Sequence, residues 1–71
     1  MNPDHTEDDR AITPDRMSDA LAQELVQEID FGGYELTSWE TNFIESNLQK
    51  ERFSLKQKEV IYKIARRLHL I

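Results

Sequence analysis

The stretch Ser54-Leu55-Lys56-Gln57-Lys58-Glu59-Val60-Ile61-Tyr62-Lys63-Ile64-Ala65-Arg66-Arg67-Leu68 decides the fold. Its first four residues have the spacing of a capping box: the Ser54 hydroxyl can accept from the backbone amide of Gln57, while the Gln57 side chain reaches back to the amide of Ser54. Val60, Ile61, Ile64, Ala65 and Leu68, continued by Ile71, then fall within about 140° of one another at 3.6 residues per turn. The pattern predicts an amphipathic helix over about 55–70, apolar side inward. Phe53, just ahead of the cap, is placed to pack back onto the preceding turn.

Upstream, Thr37-Ser38-Trp39-Glu40 repeats the capping-box spacing and opens a second helix over about 38–49. Trp39, Phe43, Ile44 and Leu48 form its apolar arc. Asn47 falls inside that arc and, if buried, needs a hydrogen-bond partner, expected in a neighbouring loop. A first helix over about 14–31 is predicted from Thr13-Pro14-Asp15, a cap, a proline at the first helical position and an acid at the positive end of the dipole. Met17, Leu21, Leu25 and Ile29 then recur every four residues, widened by Ala22 and Val26. Gly32 and Gly33 end it, and Phe31 and Tyr34 are expected to close the core beneath this turn. No segment alternates with a period of two. The reading is an all-α, three-helix domain over 13–71, preceded by an acid-rich, aperiodic segment over 1–12 that is expected to be a disordered tail.

Seventy-one residues make one small domain. The chain has no cysteine, which excludes disulfides, thiolate metal sites and cysteine nucleophiles. No apolar run approaches the roughly 18 residues of a membrane span, and the first residues lack a basic segment followed by an apolar stretch. A soluble cytoplasmic protein, monomer or homodimer, away from membranes, is the expectation.

Charge is divided along the chain. Residues 1–49 hold twelve acids and two arginines, a net of −10, whereas residues 50–71 hold seven bases and two acids, a net of +5. Such asymmetry points to an electrostatic partner or to contact between the halves. Catalytic chemistry finds little support. His5 lies in the acidic segment, and His69 at the end of the last helix reads as a favourable charge at a helix C-terminus. Neither has metal-ligand spacing to other donors, and a chain this small has little volume for a carboxylate pair with separated pKa values. No catalytic residue, metal site or cofactor is expected.

Two surfaces are candidates. Lys56, Lys63 and Arg67 form one line on the third helix with Arg66 beside it, and Glu59 can pair with Lys63. With the second helix and a connector near 50–54, this basic helix could form a helix-turn-helix, although only Gln57 near its start suits base reading. The acids Asp15, Asp19, Glu24, Glu28, Asp30, Glu35 and Glu45 could face a cationic protein surface. Trp39, Tyr34, Tyr62 and Leu70 are possible anchors, Tyr62 and Leu70 because they fall outside the core arc.

The pieces Leu36-Thr37-Ser38-Trp39-Glu40-Thr41-Asn42-Phe43-Ile44 and Phe53-Ser54-Leu55-Lys56-Gln57-Lys58-Glu59-Val60-Ile61, with Ile64, resemble a recurrent segment of small phage and mobile-element proteins. There it reads approximately Leu-Thr-x-Trp-Glu-x-x-Phe followed by Leu/Phe-Ser-x-Lys-Gln. The segment also resembles accessory regions of proteins handling DNA replication or recombination. The resemblance covers about the last half of the chain and implies a phage or mobile-element origin.

The functional expectation is a small, non-enzymatic, phage-like binding protein. It docks through its acidic residues onto a larger host or phage protein and, where that surface is a nucleic-acid groove, inhibits it. The alternative is an accessory nucleic-acid-binding module using Lys56, Lys63, Arg66 and Arg67. A further possibility is a dimer in which helix one of one copy meets helix three of another.

Overall fold

The computed structural model describes residues 13–71, so the expected tail over 1–12, with His5, lies outside the described residues. Three α-helices follow one another, α1 (Asp19–Phe31), α2 (Ser38–Ser46) and α3 (Leu55–Arg67), with no strand among the described residues. α1 packs against both α2 and α3, and a short 3₁₀ turn at Pro14–Arg16 packs on α3. Glu40, in the first turn of α2, meets Arg67, the last residue of α3. Because the connector joins the opposite ends of these two helices, α2 and α3 run antiparallel.

Both predicted capping boxes form. The Thr37 and Ser54 hydroxyls accept from the amides of Glu40 and Gln57 at 3.1 and 3.2 Å. The Glu40 and Gln57 side chains accept from the amides of Thr37 and Ser54 at 3.0 and 2.9 Å. Each box satisfies two backbone donors that the helix itself leaves open. The core is the predicted stripe: Ala22, Leu25, Val26 and Ile29 of α1 meet Ile44 of α2 and Ile61, Ile64 and Ala65 of α3, with Met17 and Phe53 closing the ends.

The first helix starts later than its sequence suggests. Thr13 makes no capping bond; its hydroxyl donates to the Asp15 carboxylate instead. After the 3₁₀ turn, Met17 takes an extended conformation (φ −74°, ψ 124°), and Ser18 caps α1 by accepting from the Leu21 amide at 3.0 Å. The break puts Met17 in the core at 2 % exposure. Burying that long side chain stabilises more than one further helical turn at an exposed end.

The C-terminal ends also fall short of the predicted bounds. α2 stops at Ser46, not Gln49, because buried Asn47 leaves helical geometry (φ −110°, ψ 6°) and its Nδ2 donates back to the Phe43 carbonyl at 2.7 Å. Its partner is thus its own helix, not a neighbouring loop. α3 stops at Arg67, not Leu70. His69 takes φ 63°, its amide donates to the Arg66 carbonyl at 3.1 Å, and the Leu70 amide donates to the Ala65 carbonyl at 2.8 Å. This is a Schellman turn with histidine where glycine is usual. It carries Leu70 back against the core, half-buried.

The turn after α1 differs most. Gly33 has φ 68°, the left-handed geometry expected of one of the two glycines, whereas Gly32 is right-handed (φ −75°). Gly32 serves by its size: a Cβ there would lie 2.3 Å from the Tyr34 ring. Phe31 does not close the core; it is 93 % exposed, and Tyr34 is also at the surface. α1 turns Ala22, Leu25, Val26 and Ile29 inward, and Phe31 lies about half a turn beyond Ile29, on the outer side.

Candidate interaction surfaces

Two ion pairs occur among the described residues, and both join the acidic half to the basic half. Asp19 accepts from the Phe53 amide at 3.0 Å and meets Lys58 at 3.3 Å. The Phe53 amide, first, and Lys58 hold the Asp19 carboxyl below its ordinary pKa against the opposing effect of burial. Gln23 reinforces the contact by donating to the Lys50 carbonyl at 3.1 Å. Asp19 is therefore a staple between α1 and the α2–α3 connector, with its side chain still 43 % exposed. The Asp15 carboxyl is likewise held low, chiefly by the Thr13 hydroxyl, and serves its own turn.

The remaining predicted acids are exposed but do not share one face. Glu24 and Glu28 stand four residues apart on the outer side of α1, and Phe31 continues their line three residues on. Asp30 lies on the flank of α1 that also carries Asp19. Glu35 is in the α1–α2 connection and Glu45 is on α2. Of the candidate acids, Glu24 and Glu28 thus share one exposed line, and Phe31, expected in the core, extends it. Phe31 was not anticipated as a surface residue, because an aromatic at the end of an amphipathic repeat reads as core until the helix phase is fixed.

Lys56, Lys63, Arg66 and Arg67 are all exposed. Arg67 meets the Glu40 Oε1 at 2.6 Å, and Arg66 donates to the Tyr62 hydroxyl at 3.1 Å with its guanidinium 5.7 Å from the ring centre. Tyr62, expected outside the core arc, is half-buried against the core. The expected Glu59–Lys63 pair does not form, which leaves Lys56 and Lys63 without an ion-pair partner among the described residues. Lys58 and Arg67 are nine residues apart, or about half a revolution. One touches α1 and the other α2, so the Lys56–Lys63–Arg67 line lies on the α2 flank of α3, away from α1.

α2 adds an aromatic surface. Trp39 belongs to the apolar arc of its helix and is also one of the candidate anchors; it is 61 % exposed. Its ring stacks on Phe43 with centres 5.5 Å apart and planes 11° from parallel. Together with Asn42, Ser46 and Asn47 the pair lines an open groove of about 260 Å³. Asn42 and Ser46 of this lining are exposed, whereas Asn47 is only 5 % exposed. The arrangement departs from a helix-turn-helix: eight residues (47–54) separate α2 from α3, against the three or four of that motif, and α1 is the helix against which both pack.

Among the described residues, no group of three or more His, Asp or Glu side chains could hold a metal ion, and no helix is long and apolar enough to cross a membrane. Comparison with known proteins finds no matching family model, no similar curated protein and no similar solved structure.

Proposed function

We propose that this chain is a small non-enzymatic docking protein that binds a larger protein through the outer face of α1. One observation carries the reading: Phe31, 93 % exposed, ends a line of exposed acids formed by Glu24 and Glu28. An aromatic side chain in water forgoes about 1.5–3 kcal/mol that burial in a partner would return. Aromatic anchors dominate interface energetics when surrounding contacts exclude water. The flanking carboxylates select a cationic partner and speed encounter with it. Where that cationic surface is a nucleic-acid groove, docking excludes nucleic acid from it.

The test is affinity capture from native host cells followed by mass spectrometry, using the full chain, Phe31→Ala, Glu24→Lys/Glu28→Lys and, as a control, Lys56→Glu/Lys63→Glu. A partner held by the parent and the control but lost from both α1 variants supports the reading. The same partner retained by both α1 variants overturns it. All five positions are exposed, so circular dichroism should report unchanged helicity in each variant.

A further inference from the structure

We infer that the α2–α3 side of the molecule is a binding surface for single-stranded nucleic acid, with a base stacking on Trp39 and the backbone following Lys56, Lys63 and Arg67. This surface is separate from the α1 face and does not depend on it. An exposed aromatic platform on α2 is joined, through the Glu40–Arg67 contact, to one end of a line of cations on α3. Arg67 meets Glu40, the residue next to Trp39. Lys63 is one turn earlier on α3, about 5.4 Å along its axis, and Phe43 is one turn further along α2. Lys56 continues the cation line toward the start of α3.

The chemistry of the groove fits a base better than other occupants. Its lining carries no charge: a stacked Trp–Phe pair, two carboxamides and a hydroxyl. A nucleobase offers a π-face to the indole and polar edges to the exposed Asn42 and Ser46 side chains, while its phosphates match the flanking cations. Arg67 is shared with Glu40 through one nitrogen and remains half-exposed, so the rest of its guanidinium is available to a phosphate. A duplex keeps its bases stacked inside and cannot offer one to Trp39. The acids of α1 lie on the far side of α3, where salt screens them over about 10 Å.

Trp39 is the only tryptophan of the chain, so its fluorescence reads the stacking step directly. Titrating the full chain with a thymidine 12-mer and a uridine 12-mer at low salt should quench this emission; the two arms show whether DNA or RNA is preferred. A duplex of the same length should quench at least roughly tenfold less effectively. With three phosphate contacts, a fivefold rise in salt should weaken single-strand binding roughly thirtyfold. Trp39→Ala, followed by anisotropy of a labelled 12-mer, should weaken binding roughly tenfold or more, and Lys56→Glu/Lys63→Glu should abolish it; all three sites are exposed, and circular dichroism verifies the fold. Absence of quenching by either 12-mer at low salt overturns the inference. So does binding that survives Lys56→Glu/Lys63→Glu, or equal affinity for the duplex.

Discussion

Replacing His69 by glycine should stabilise the protein, although it removes a side chain and a potential charge from a helix end. His69 is held at φ 63°, and the two bonds of the Schellman turn, Leu70 N–H to the Ala65 carbonyl and His69 N–H to the Arg66 carbonyl, require that geometry. Left-handed backbone costs an ordinary L-residue roughly 1–2 kcal/mol, histidine toward the low end. Glycine removes this cost but loses more backbone entropy on folding, which returns part of the gain. The net expectation for His69→Gly is a stabilisation of about 0.5–1 kcal/mol, a rise in Tm of roughly 2–8 °C for a domain of this size. His69→Asn should gain part of this, His69→Gln nothing, and His69→Val should lose about 1 kcal/mol. Thermal unfolding by circular dichroism of the full chain checks the series. His69→Lys discriminates the competing account, in which a cation at the helix end is what matters. If His69→Lys raises Tm while His69→Gly leaves it unchanged or lower, the conformational reasoning is wrong and the charge account stands.

Two further outcomes follow from the core and the connector. Ile61 is fully buried, so Ile61→Ala should cost about 2–5 kcal/mol and Ile61→Val about 0.5–1.5. A core this small supplies roughly 3–5 kcal/mol in all, so urea titration should find the alanine variant largely unfolded without denaturant and the valine variant still cooperative. Asp19 has a folded pKa below its ordinary value of 3.8; its contribution is present above that value and lost as pH falls through the folded pKa. Asp19→Asn should therefore lower Tm at neutral pH, and the gap to the parent should narrow as pH falls below 3.8; a gap that stays constant as the pH is lowered would remove the staple from the account.

The fold was legible because its information is local and redundant. Each capping box sits immediately before an apolar repeat, as with Thr37 and Ser54, and helix start and helix phase therefore agree. The bounds were less legible where two local rules competed. Thr13-Pro14-Asp15 satisfies every rule for a helix start, but Ser18 satisfies enough of them to let Met17 reach the core. Helix ends depended on side-chain and backbone bonds with no sequence signature, the Asn47 bond to Phe43 and the left-handed His69. The surfaces were the hardest to read. The basic line on α3 follows from spacing alone, whereas Phe31 and Trp39 carry the composition of core residues and face outward. Helix periodicity gives each residue's angle on its own cylinder; which part of that cylinder a neighbour covers is set by three-body packing.

Glu40 links stability to the proposed single-strand surface. Its Oε1 accepts both from the Thr37 amide at 3.0 Å and from Arg67 at 2.6 Å. One oxygen thus completes the α2 cap and ties Arg67 to the helical turn that carries Trp39. Glutamine separates the two roles: the amide oxygen of Glu40→Gln can still accept from Thr37, while its neutrality weakens the hold on Arg67. An ion pair with Arg67 half-exposed contributes about 0.2–1 kcal/mol, so Glu40→Gln should lower Tm by only a few degrees. Glu40→Ala loses the cap bond as well and should cost about 1 kcal/mol more. Binding should move the other way. Removing the negative charge beside Arg67 favours a phosphate there by about 1 kcal/mol in water, roughly a fivefold gain in affinity for a thymidine 12-mer. A stabilising contact whose removal tightens a ligand is the signature of a cation held in competition between the fold and that ligand. If Glu40→Gln lowers Tm but leaves oligonucleotide affinity unchanged, Arg67 has no part in the surface, and the cation line ends at Lys63.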